Sequence, residues 1–172
     1  MESLASILES LNLGALVNAA DWVWPVCEIF HFIGMALLIG TVGLLDARIL
    51  GLGRGIPVAA LERLVPWGIA GFVINAVTGF IFVAGNPVGG PIVYLDNAAF
   101  QIKMVLILIA GLNLLLWYMT GLAEKADHTA ADGDVVPAAK VVAVVSLVMW
   151  FGVIVFGRLI MYEDTMLYTF GL

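Results

Sequence analysis

Four stretches of the chain, residues 24–45, 64–85, 99–122 and 137–162, are apolar over most of their length and nearly free of charge. Each is close to the ~20 residues that an α-helix needs to cross ~30 Å of hydrocarbon. Strands would need about half that length and would have to close into a barrel, so these segments specify helices. Across 172 residues, 63% are hydrophobic and only 12% charged, whereas soluble domains stay near half apolar. The expectation is an all-α integral membrane protein. It is one four-helix bundle over residues 1–172, with a short N-terminal interfacial helix.

That lead-in is read from Leu4, Ile7, Leu8 and Leu11, which recur at helical spacing beside Glu2, Ser3, Ser6, Glu9 and Ser10, the pattern of a helix lying on a membrane surface. Only the acidic Glu2, Glu9 and Asp21 precede the first span. A secretory signal opens with a basic region, so retention of the N-terminus is expected. Arg48, Arg54 and Arg63 fall between spans one and two, and Lys125 and Lys140 between spans three and four. The N-terminal segment, the connection 86–97 and the C-terminal tail have no Lys or Arg. By the positive-inside rule both termini then face outward, the periplasm in a bacterial inner membrane, and the basic loops face the cytoplasm.

A single cysteine, Cys27, excludes an internal disulfide and any CxxC-type zinc, iron–sulfur or covalent haem motif. The net charge of −6 and the placement of the bases at membrane edges argue against nucleic-acid binding.

Charged groups within hydrocarbon cost a few kcal/mol and mark functional sites by default. At 1.5 Å per residue from the outer edge of span one, Glu28 lies roughly 6 Å and His31 roughly 10 Å deep. Span three also runs inward, which puts Gln101 and Lys103 in the same outer layer. Span four runs outward and ends near Tyr162, so Arg158 is about 6 Å deep. One acid, one imidazole and two bases thus share a layer. Trp24, Glu28, His31, Met35 and Leu38 fall on one stripe of span one, with Gly34 and Cys27 beside it.

Each residue also has a plainer use. His31 could hydrogen-bond Glu28 or a carbonyl and serve packing alone, and Lys103 and Arg158 could reach lipid headgroups. Asn75, Thr78 and Asn113 are typical interhelical glue, and the glycines at 34, 40, 43, 68, 71 and 79 permit close helix approach. Asp46 and Arg48 read as a local ion pair that anchors topology, and His128 as a solvated loop residue.

Taken together, a buried imidazole beside two cations matches what b-type haem asks of a bundle: an axial nitrogen and partners for its propionates. His31 is assigned as axial ligand and Glu28 as the acceptor that orients it or as a metal ligand. Lys103 and Arg158 are assigned to the propionates, with Gln101 and Tyr162 as weaker additions. Only one histidine lies within the membrane, so one chain cannot supply two axial imidazoles. The remaining choices are a five-coordinate haem, a Met partner, or His31 from a second copy in a homo-oligomer. Soft sulfur beside imidazole keeps copper open, with His31, Glu28 and Cys27 as ligands. A redox centre here would exchange electrons with the quinone pool or an external donor. The competing class is a cofactor-free proton-coupled transporter or channel in which Glu28 and His31 carry protons. A third is an assembly subunit without chemistry.

The series Trp24-Pro25, Glu28-x-x-His31, Gly40, Asp46-x-Arg48 and Leu50-Gly51-Leu52, with Gln101-x-Lys103, resembles a group of small four-span bacterial inner-membrane proteins carried as a domain of unknown function. The resemblance implies a bacterial four-helix fold and supplies no catalytic residues. A looser likeness is to four-helix b-type cytochromes and CopD-type copper proteins, which also place histidines in their helices. The chain lacks the paired histidines of those cytochromes, so their two-haem electron path is not implied.

Overall fold

A computed structural model describes residues 1–128 and 133–162. Residues 129–132, part of the charged loop before the last span and including Asp132, and the tail 163–172 lie outside the described residues. Every regular element among the described residues is helical: α1 (Glu2–Ser10), α2 (Leu13–Asn18), α3 (Val23–Ile49), α4 (Val58–Glu62), α5 (Val65–Ala84), α6 (Ile92–Leu95), α7 (Ala98–Met119), α8 (Leu122–Asp127) and α9 (Pro137–Leu159), which ends in a 3-10 turn over Ile160–Tyr162. Four helices are long and apolar enough to cross a membrane, α3, α4 with α5, α7, and α9 with its last turn. The chain is a multi-pass membrane protein built as a four-helix bundle.

The outward surface agrees with lipid as its solvent. Phe32, Trp67 and Phe151 are each more than 60% exposed, which in water would be a large unpaid apolar surface. Small residues sit where the helices touch. A Cβ added at Gly71 would stand 2.6 Å from Gly34 O, and one at Gly34 would stand 2.7 Å from Gly71 O, so α3 and α5 cross backbone against backbone at this pair. Gly68 meets the Thr41 side chain one turn along. Gly40 has nothing within 4 Å and Gly43 meets only its own helix. The glycine series therefore divides into a packed set and a set facing outward.

α3 and α5 form one hairpin and α7 and α9 the other, joined chiefly where α3 meets α9. The end at which α3 begins and α9 finishes is called upper below, and the opposite end lower. At the lower end Leu45, Ile49, Val58, Leu61, Val65, Trp117, Leu122, Ala126, Ala139 and Ala143 make one buried cluster. α3 runs further than the stretch 24–45 suggests, and this extra turn carries Asp46, Arg48 and Ile49 into that core. The lead-in is two short helices rather than one, because Asn12 turns the chain at φ 52°, a left-handed conformation that Asn tolerates better than most residues.

Asn97 caps α7 by accepting from Phe100 N at 2.9 Å, and its Nδ2 donates to Ile160 O at 3.2 Å. One side chain thus ties the upper start of α7 to the upper finish of α9. At the start of α9, Lys140 Nζ donates back to Asp134 at 2.9 and 3.0 Å, and Arg54 stands 3.7 Å from the same carboxyl. The hydrogen bond from Lys140, then its charge, holds the exposed Asp134 carboxyl below the usual carboxylate range. A depressed folded-state value contributes stability that is present above the unfolded value and is lost as pH falls through the folded one. Lys140→Gln is expected to move the Asp134 carbon-13 titration midpoint upward toward an ordinary carboxylate. An unmoved midpoint would contradict this.

Candidate functional site

His31 is half-buried on α3, with its ring packed on Phe82 of α5 at 5.3 Å between centroids. Its Nδ1 lies 2.7 Å from Thr78 Oγ1, and Thr78 Oγ1 lies 2.7 Å from Ile74 O. The hydroxyl has one proton and Ile74 O can only accept, so that proton is committed to the carbonyl. The reverse arrangement would set two lone-pair oxygens against each other at 2.7 Å. Nδ1–H therefore donates to Thr78, and in the neutral ring Nε2 keeps its lone pair. Beside the ring edge, Gly79 leaves room: a Cβ there would stand 3.7 Å from His31 Cε1.

Glu28 does not hold the imidazole. It is exposed and accepts from Trp24 Nε1 at 3.0 Å, one turn back on its own helix. The orienting acceptor expected at Glu28 is supplied instead by Thr78, because residues three apart on α3 diverge enough for the ring to lean onto α5 while the carboxyl stays outward. Trp24 in turn stacks on Phe82 at 4.9 Å, so Trp24, His31 and Phe82 form one aromatic wall. Tyr94 of α6 is half-buried at this end. Burial, with the nearby Glu28 carboxylate adding to it, raises the Tyr94 phenol above its usual range and keeps it a neutral hydroxyl.

Lys103 is half-buried, with Nζ 3.3 Å from where a Gly157 Cβ would stand. The absence of a side chain at Gly157 gives the lysine tail room to lie across α9. Arg158 is exposed, donates to Tyr162 Oη at 3.2 Å and stacks over that ring at 5.3 Å. Gln101 Nε2 donates to Leu95 O at 2.9 Å and so closes the turn before α7. Cys27 is a half-buried free thiol. The structure thus groups His31 with Thr78 and Phe82, lays Lys103 against α9 at Gly157, pairs Arg158 with Tyr162 separately, and gives Gln101 a local structural bond. Among the described residues no three His, Cys, Asp or Glu side chains converge as a metal-holding group.

The second polar cluster is at the lower end, where an ion pair between Asp46 and Arg48 was expected. Positions two apart on a helix face away from each other. Arg48 is 2% exposed and its Nε donates to Ile56 O at 2.7 Å, which fastens the loop after α3. Asp46 turns the opposite way, into the bundle, where it lines the same cavity as Ser146. Asn113 Nδ2 donates to Val142 O at 3.0 Å and links α7 to α9. Asp46, Ser146 and Asn113 all line a cavity of about 250 Å³ between the two hairpins. In sequence Asp46 carried no sign of this role beyond being an acid at the end of an apolar run. Comparison with known proteins returns no match to a family model, to a curated protein or to a solved structure.

Proposed function

We propose that the chain is a redox protein of a bacterial inner membrane that holds one b-type haem at its upper end, with His31 Nε2 as the axial ligand. The supporting observation is the tautomer set by Thr78, which leaves a lone pair on Nε2 and fixes the ring through Nδ1–H, the arrangement that ligating histidines use. Haem asks the protein for one such nitrogen. A copper ion asks for several convergent ligands, so the absence of a three-residue group among the described residues favours haem over copper. Trp24 and Phe82 supply an apolar wall, Lys103 a half-buried cation and Arg158 an exposed one for propionates. When bound, the haem supplies one-electron chemistry, and the quinone pool or an external donor is the partner that its depth would suit. With one intramembrane histidine per chain, a homo-oligomer is the route to a second axial imidazole.

The test is the absorption spectrum of the full chain expressed with haem precursor and purified in detergent. A Soret band with about one haem per chain is expected, and His31→Ala should abolish it. Thr78→Val keeps the imidazole and removes its partner, so haem affinity should fall about 10- to 100-fold. A protein that stays colourless after haem addition would overturn the reading, as would full haem retention by His31→Ala. Proton-coupled flux by such a colourless protein would establish the relay alternative.

A further inference from the structure

The cavity at the lower end is walled by Phe72, Trp117 and Trp150 together with aliphatic side chains, and its polar groups are Asp46, Ser146 and Asn113. Asp46 is 5% exposed. Its Oδ2 is the one buried side-chain atom among the described residues with no hydrogen-bond partner, and no salt bridge neutralises it. A carboxyl in such surroundings normally has a cation or a full set of donors, since an unsatisfied buried polar group costs about 1–3 kcal/mol and a lone charge far more. Arg48 on the same helix stands two positions away on another face and donates through Nε to the loop carbonyl of Ile56.

We infer that this cavity is a binding site for a small lipophilic amine, whose ammonium pairs with Asp46 and whose ring or chain lies among Phe72, Trp117 and Trp150. The site is separate from His31 and does not depend on the haem reading. An ammonium supplies both what Oδ2 lacks, an N–H donor, and the charge that balances a carboxylate in low dielectric. The aromatic walls add cation–π attraction. Phe72 and Trp150 already meet edge to face at 6.2 Å between centroids, which leaves ring faces and edges for a guest. The volume limits the guest: drug-sized ligands occupy roughly 300–1,000 Å³, whereas benzene fits an apolar cavity of roughly 150 Å³. One ring with a two- or three-atom arm fits about 250 Å³. Rotation of the carboxyl about χ2, a soft torsion, turns an oxygen into the cavity.

The probes are phenethylamine and its neutral isostere 2-phenylethanol, titrated into the full chain in lipid nanodiscs and followed by tryptophan fluorescence and calorimetry. The amine should bind about tenfold or more tightly than the alcohol, as a charge-assisted contact requires. Asp46→Asn should remove that preference while leaving the alcohol's affinity in place. Ala110→Phe, which fills the cavity from α7 and leaves the Asp46 carboxyl in the chain, should abolish binding of both. Equal affinity for amine and alcohol in the unmodified protein would overturn the inference, and so would an amine affinity unchanged in Asp46→Asn. Tighter binding of the neutral ketone acetophenone would show instead that the carboxyl acts as a donor to a carbonyl. If Asp46→Asn does not fold, the amine-to-alcohol ratio and the Ala110→Phe variant still decide.

Discussion

Gly71→Leu is expected to separate α3 from α5 and to lower the unfolding free energy by about 3 kcal/mol or more, the upper part of the range for overpacked cores. A Cβ at this position would stand 2.6 Å from Gly34 O, 2.9 Å from Leu38 N and 2.9 Å from Leu37 Cβ. Two of those three atoms are backbone, so no rotamer change relieves them and the helix itself has to retreat. Retreat forfeits the close packing that drives helix association in lipid, where burial from water contributes little. Gly71→Ala should cost less, about 1–3 kcal/mol, because one methyl meets the same atoms with a shorter reach. Gly40→Ala is the control: with nothing within 4 Å, it should be neutral or stabilise the helix by about 0.5–1 kcal/mol. Reversible unfolding in mixed micelles, followed by circular dichroism, checks all three. If Gly71→Leu were as stable as Gly40→Ala, the α3–α5 crossing described above would be wrong.

Trp117→Ala is expected to cost about 3–5 kcal/mol, the range for removing a buried large aromatic. The ring is 3% exposed in the lower cluster, and its Nε1 donates to Glu62 Oε1 at 2.8 Å. The substitution therefore removes two different things. The first is the dispersion contact of the ring with its neighbours. The second is a hydrogen bond to a carboxylate, worth about 1.5–3 kcal/mol. Trp117→Phe keeps one aromatic ring while losing the donor and the smaller fused ring, so its cost should fall between the second figure and that of the alanine variant. Because Trp117 also lines the cavity, the alanine variant should bind the amine probe weakly even where it folds. A cost below about 1 kcal/mol for Trp117→Ala would mean that the lower cluster does not carry the stability assigned to it.

Much of the fold was legible because the bilayer leaves few choices. A run of apolar residues long enough to span must be a helix, since no water is present to satisfy an open backbone. The spans were therefore readable to within a few residues, apart from the extra turn of α3. That turn was obscured because Asp46 and Arg48 look like a membrane boundary, whereas both are folded into the lower core. His31 was identifiable as a polar residue in an apolar helix. Its partner was not, because Thr78 lies 47 positions away and resembled an ordinary packing residue. The glycines were identifiable as small residues, but which of them touch a neighbour depends on the rotation of each helix about its own axis.

By itself, the sequence determined the number of spanning helices, their approximate limits, the absence of an internal disulfide and the residues able to carry chemistry. Length, hydropathy and residue type settle these before any two helices meet. Tertiary structure decided which partner each polar group takes: His31 with Thr78, Glu28 with Trp24, Trp117 with Glu62, and Asp46 turned into a cavity beside Ser146. Helical periodicity fixes the face on which a side chain stands and says nothing about the neighbour opposite it. That neighbour is set by where two surfaces of small residues, here Gly34 and Gly71, permit the helices to cross.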